Sequence, residues 1–206
     1  MKTPIHISKL HGKLHKIKAI STNTRTNEFC FKMSNSFNKK IICTKCYSWA
    51  ILNKGIYPTL EPALQRNNDL FSSRLLKDYE IPNIKDKVFR FNAHGELINL
   101  NHLKNYMAII NKNPQCTFAL WTKRKDLIKK YFNNNNKPNN LILIYSNPII
   151  STIKKEPPKY FDKTFNNVLE EEHKDKQNCT GQKCIDCLLC YSHNNVHQIV
   201  EKVKRY

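Results

Sequence analysis

Apolar positions along the middle of the chain switch between two periods. From Thr59 to about Tyr79 they recur at helical spacing, with Leu60, Ala63, Leu64, Leu70, Phe71, Leu75 and Leu76 on one side, Pro62 in the first turn and Pro82 beyond the end. Lys87-Val-Phe-Arg-Phe91 then reads as a strand, and Asn99 to Asn111 as an amphipathic helix carrying Leu100, Leu103, Tyr106, Met107 and Ile110. Gln115-Cys-Thr-Phe-Ala-Leu-Trp121 is a second strand and Lys125 to Phe132 a short basic helix. The loop Asn133 to Asn140 leads into a third strand, Leu141-Ile-Leu-Ile-Tyr145. Weaker strands are predicted just before Cys43, at Lys163 to Val168 and at Glu28-Phe-Cys-Phe-Lys32.

Strands alternating with helices predict a parallel sheet in an α/β protein. The strands repeat about every 27 residues, close to one βα unit of a barrel. Three good units and two weaker strands are too few for a closed eight-fold barrel. The predicted architecture is therefore a partial, open parallel β/α barrel. Residues 1–40 form a basic N-terminal segment, residues 41–170 the barrel, and residues 171–206 a cysteine-rich metal-binding tail packed upon it.

Composition narrows the class of function. The chain is 40% hydrophobic and 25% charged, as globular chains are, and no apolar run approaches the length of a membrane span. Met1-Lys-Thr-Pro-Ile-His6 lacks the apolar core of a signal peptide, so a cytoplasmic protein with no membrane partner is expected. The formal charge of +19 suggests a nucleic-acid partner held through the basic surface. That inference is weakened by 29 lysines against 6 arginines, because arginine is the better bidentate reader of bases. Lysine, asparagine and isoleucine are abundant together, the mark of an AT-rich coding sequence.

In parallel α/β folds the functional groups gather at the carboxyl ends of strands. That rule selects Asn92, His94 and Glu96 after the first central strand, Thr122 and Lys123 after the second, and Ser146 and Asn147 after the third. Glu96 or His94 is the candidate acid–base group and Lys123 the candidate anion contact. Arg90 and Asn92 are the candidate substrate contacts beside them.

The cysteines carry the clearest chemistry. Cys179, Cys184, Cys187 and Cys190 crowd into twelve residues, with two successive C-x2-C steps, and Cys43 and Cys46 form another such pair far upstream. In a reducing compartment this density points to metal ligation rather than disulfides. Successive C-x2-C steps are shared with loops that wrap a four-iron cluster, so one or two such clusters are expected, Cys43 and Cys46 either completing the tail's centre or holding a second one, with zinc as the alternative. A zinc site would turn the chain into a nucleic-acid-binding or protein-interaction module. Cys116 reads as a core residue, and Cys30 is left open as a further ligand of the upstream set. His193 and His197, at i, i+4 spacing, read as surface histidines.

The arrangement resembles a phage-associated family named for gene product 88. Its C-x(2–3)-C-Y motif is matched by Cys43-Thr-Lys-Cys46-Tyr47 and its R-x-(H/N)-x-x-G-(D/E) pattern by Arg90-Phe-Asn-Ala-His-Gly95-Glu96. An aromatic-Thr-Lys strand end is matched by Trp121-Thr122-Lys123, and a cysteine-rich close by Cys179 to Tyr191, so the likeness covers roughly residues 40–200. The resemblance implies a phage or mobile-element protein with a host or mobile-element protein partner. The C-x2-C-Y motif followed by βα units is also similar to radical S-adenosylmethionine enzymes, which use partial barrels and a C-x3-C-x2-C cluster loop. That likeness implies redox or radical-type chemistry. Lys39 stands where such a loop has its first cysteine, and the chain has only four glycines.

Overall fold

Seven strands pair in their order along the chain into one sheet, β1 (Ser8–Lys9), β2 (Lys18–Ile20), β3 (Val88–Phe91), β4 (Thr117–Thr122), β5 (Leu141–Ser146), β6 (Lys163–Val168) and β7 (Gln198–Lys202). The computed structural model describes residues 4–203. Only β1 runs antiparallel to its neighbour; every pairing from β2 to β7 is parallel. The sheet is mixed α/β and open, with β1 and β7 at its edges. A doubly wound sheet would reverse its strand order at one point, and this sheet does not.

Six helices lie between the strands: α1 (Glu28–Ser34), α2 (Tyr47–Asn53), α3 (Leu60–Ser73), α4 (Leu100–Lys112), α5 (Lys125–Phe132) and the single turn α6 (Cys184–Cys187). Uniform right-handed crossovers between strands in sequential order put their helices on one face, and the packing agrees. Phe71 of α3, Leu103, Tyr106 and Ile110 of α4 and Ile128 of α5 bury against Phe89, Phe91, Phe118, Leu120, Leu141 and Leu143. The alternate residues of the same strands, Val88, Ala119, Trp121, Ile142 and Ile144, face the other way and are covered by the tail through Ile185, Leu188 and Tyr191. The strand period of two thus separates a helix layer from a tail layer.

The central elements match the sequence reading to within a few residues, and three differences have physical causes. Glu28 to Lys32 is helical, because Asn27 caps Cys30 N–H through its side chain (3.2 Å) and Glu28 favours a first turn, which outweighs the Phe-Cys-Phe alternation. The segment before Cys43 is a single bridge, Ile41 to Ile149, rather than a strand. The sheet also crosses the expected boundaries at residues 40 and 170, taking β1 and β2 from the basic segment and β7 from the tail.

Buried asparagines hold the connections. The Asn105 side chain accepts from Leu76 N–H (2.8 Å) and donates to Arg74 C=O (2.8 Å). That of Asn113 accepts from Ile84 N–H (2.6 Å) and donates to Pro82 C=O (3.0 Å). Whatever supplied the asparagines, the fold uses them to satisfy turns that leave backbone groups unpaired.

Gly95 is held at φ +74°, and a Cβ there would lie 2.3 Å from Thr22 Oγ1 and 2.6 Å from Thr22 O. Gly95→Ala is expected to cost about 2–4 kcal/mol from left-handed strain plus backbone displacement. Urea unfolding measures it, and an unchanged midpoint would refute the close approach. His102 is fully buried, accepts at Nδ1 from Ile98 N–H (3.2 Å) and has no partner at Nε2. Burial pushes its pKa down to about 3 from 6.5. The unfolded chain takes up the proton first, so this group makes stability fall as pH drops from 6.5 towards 3, by about 1.4 kcal/mol per unit. Subtracting the pH profile of His102→Gln should reveal that slope; parallel profiles would rule it out.

Candidate functional site

The carboxyl ends of β2, β3, β4 and β5 form one polar rim, and three cysteines stand beside it. Cys30 rides on α1, which Asn27 fastens to the rim by donating from Nδ2 to Glu96 C=O (2.9 Å). Cys43 and Cys46 are set by backbone bonds to the loop after β5, from Ile42 N–H to Pro148 C=O and from Ile150 N–H to Lys40 C=O (both 2.8 Å). Immediately after Cys46, α2 begins; its Tyr47 hydroxyl donates to Ala93 C=O and its Ser48 hydroxyl meets His94 Nδ1 (2.8 Å).

The three thiols share one electrostatic neighbourhood with Lys123 and Glu96. Burial raises the pKa of Cys43, with the Lys123 charge acting in the opposite direction, and burial raises that of Cys30 with Glu96 adding to it. Burial alone would depress the Lys123 ammonium, but Cys43, Glu96, Cys30 and Cys46 outweigh it and hold the pKa at about 12. Lys123 Nζ donates to Ser146 Oγ (3.1 Å), and no carboxylate among the described residues lies within ion-pair distance of it. Beside this set opens a cleft of about 1130 Å³, lined by Cys43, Cys46, Trp49, Asn53, Glu170 and Lys202 among others. It is an open cleft, somewhat larger than the usual small-molecule pocket.

The stretch Arg90 to Glu96 is largely built into the fold. Asn92, at φ +59°, donates from Nδ2 to Trp121 C=O (3.1 Å) and accepts at Oδ1 from the Tyr106 hydroxyl (3.1 Å). The Glu96 carboxylate accepts from Thr122 Oγ1 (2.5 Å), Leu97 N–H (2.8 Å) and Lys123 N–H (2.8 Å), which locks the loop after β3 to the end of β4. Burial, reinforced by Arg90, pushes the His94 pKa down to about 4, so at neutral pH the ring is uncharged. Asn147 bonds Thr152 C=O and Asn166. Of the rim residues that the sequence singles out, Lys123 and Glu96 are those whose charges act on the upstream thiols, in opposite directions.

The tail cysteines form a second group, on the sheet face away from the helices. Cys179, Cys184, Cys187 and Cys190 perturb one another, and burial pushes the Cys190 thiol up to about 12. Lys13 Nζ donates to Cys179 Sγ (3.3 Å) and is also paired with Glu201. Gln182 Nε2 lies 3.6 Å from Cys187 Sγ. Arg90 reaches this group from β3 and stacks over the Trp121 ring at 4.0 Å. The Cys43–Cys46 pair meets Cys30 instead of the tail, so the two ends of the chain make separate thiol groups.

All eight cysteines are free thiols, and Cys116 is sealed in the core. Among the described residues no three His, Cys, Asp or Glu side chains already converge as a metal-holding set. His193 and His197 bond the backbone carbonyls of Asn139 and Asp162. The sequence reading missed Lys13 and Tyr191 as neighbours of the tail thiols. It also missed the Asn27 cap, whose Asn-Glu start was the available signal. Among the described residues no helix is long and apolar enough to cross a membrane.

The sequence model of the gene product 88 family matches residues 8–179, most of the chain. The match starts well before residue 40, and Cys184, Cys187 and Cys190 lie beyond its end. No curated protein and no solved structure matches.

Because Glu96 accepts three bonds, Glu96→Ala should destabilise the fold by about 2–4 kcal/mol, and Glu96→Gln by less, since one of its donors then faces an amide N–H. Chemical denaturation of both variants decides; wild-type stability in Glu96→Ala would free Glu96 for a role other than this lock.

Proposed function

The chain belongs to the gene product 88 family, and from that premise we propose that it is a cysteine-ligated metalloprotein with two thiol sites. Cys30, Cys43 and Cys46 would hold one metal group, and Cys179, Cys184, Cys187 and Cys190 the other. The favoured occupant is a four-iron cluster, with redox or radical-type chemistry as its use. One observation carries the reading: each thiol group faces a half-buried cation, Lys123 or Arg90, that makes no ion pair with a carboxylate among the described residues.

A half-buried cation favours a counter-charge beside it; Glu96 supplies part of one to Lys123, and neutral thiols add none. Thiolates on a metal do, and N–H donors aimed at sulfur, such as Lys13 on Cys179, stabilise that charge. The residues therefore fit an anionic metal–thiolate group, whose binding would release the thiol protons and draw the sulfurs together. When bound, such a cluster supplies one-electron transfer. The chain's own residues do the rest. Lys123 holds positive charge beside the upstream thiols, Glu96 fixes the backbone that carries Lys123, and Tyr47 and Ser48 orient the segment after Cys46. The cleft lined by Trp49 and Asn53 admits a small molecule to Cys43 and Cys46. Strands in sequential order, with helices on one face, support reading the sheet as a partial barrel. Cys30 supplies the third upstream thiol that Lys39 cannot.

Anaerobic metal and sulfide analysis tests this. Wild type should be brown, with iron and acid-labile sulfide, and Cys43→Ala and Cys187→Ala should each lose about half of the iron, from different centres. Loss of the same centre in both would refute two sites. Colourless protein with stoichiometric zinc would refute the cluster, and metal-free protein the whole proposal.

A further inference from the structure

Four buried side-chain polar atoms lack a hydrogen-bond partner among the described residues, and two of them, Arg90 Nε and the Tyr191 hydroxyl oxygen, sit together between the sheet and the tail. Each such atom costs about 1–3 kcal/mol when left unpaired in the interior. The placement of both is tightly specified. Arg90 is flanked in register by Ala19 and Ala119, small residues that leave room for its guanidinium over Trp121. Tyr191 is 3% exposed, and its ring lies 5.6 Å from that of Trp121. Cys184 and Cys190 pack into the same cluster.

We infer that Arg90 and Tyr191 are positioning residues that form the inner wall of the tail site, donating hydrogen bonds to the sulfurs of Cys184 and Cys190 when those sulfurs carry a metal. The inference rests on the proposed reading of the tail as a metal site. The guanidinium also lies against the Tyr191 phenol oxygen, which leaves the O–H proton and Arg90 Nε as donors, and a thiolate is a stronger acceptor for them than a thiol. The guanidinium offers a charged donor and the phenol a neutral one, and Trp121 holds the first at a fixed height above the sheet. Their effect on the metal is indirect, through the charge and orientation of the ligand sulfurs.

Titration of the reduced full-length chain with Co2+ against a competing chelator tests the assignment, read by the sulfur-to-cobalt charge-transfer absorption. Cys187→Ala identifies the tail's contribution. Tyr191→Phe, which removes one oxygen atom and keeps the ring, should weaken tail binding about tenfold, and Arg90→Gln by about tenfold or more. In both, the charge-transfer band should move to longer wavelength as the sulfurs lose donors, a shift that mere loosening of the fold would not produce. Tail affinity and band position equal to wild type in Tyr191→Phe would overturn the inference, and that variant decides if Arg90→Gln does not fold. If Cys187→Ala titrates like wild type, the tail is no metal site, and the underlying reading fails with the inference.

Discussion

A cation on the apolar face of a sheet has to be matched, and that constraint organises the whole tail side of this protein. β3 places Arg90 there and β6 places Lys163, beside Val88, Ala119, Trp121, Ile142 and Ile144. Lys163 shows the requirement at work. It is 2% exposed, burial lowers its pKa, and its ammonium donates to Asn194 Oδ1 and Val196 C=O (both 2.8 Å). Those two contacts pin the end of the tail onto β6 before the chain enters β7. Lys123 has the Ser146 hydroxyl (3.1 Å) and Arg90 lies against the Tyr191 hydroxyl, and each also faces a group of thiols. The tail is therefore placed both by its apolar residues and by the charges it must cover.

The same economy explains why residues that read as chemistry turn out to be joinery. A polar cluster directly after an apolar strand is what a catalytic rim looks like in sequence. It is also what is needed to tie four adjacent strand ends together. Asn92 joins β3 to β4 and to α4; Glu96 joins the loop after β3 to β4; Asn27 joins α1 to that loop. A fully engaged carboxylate is a poor proton shuttle, because each of its bonds must break first. Holding these loops rigidly is what keeps Cys30, on α1, and Cys43 and Cys46, before α2, beside Lys123.

Legibility in the sequence followed the range of the interactions. Lys125 to Phe132 and Lys163 to Val168 were readable to the residue, because their periodicity is local. β1 and β2 are short, and with β7 they owe their existence to pairing with distant strands, as Ala19 does opposite Arg90. Glu28 to Lys32 misled because alternation was weighed without the Asn27 cap. The thiols were conspicuous from spacing alone, but their grouping was not. Nothing local says that Cys30 and Cys43 share surroundings, since the docking of residues 40–42 on the loop after β5 decides it. The asparagines were discounted as compositional, yet Asn105 and Asn113 close buried turns.

The two thiol groups differ in what reaches them, and that difference assigns them different work on the proposed reading. Cys43 and Cys46 line the large cleft, so whatever they hold can be approached by a ligand. Trp49 in the same wall offers an aromatic face, while Glu170 and Lys202, paired with each other, bring both signs of charge to the rim. Cys184 and Cys190 pack instead in the apolar cluster with Trp121 and Tyr191. A metal group there would be shielded from substrates and tuned by fixed donors. That suits a store or relay of electrons better than a reacting centre. Trp121 stacks on Arg90 beside the tail, and two residues on the same strand end carries Lys123 to the upstream thiols. The end of β4 therefore carries one contact towards each of the two groups.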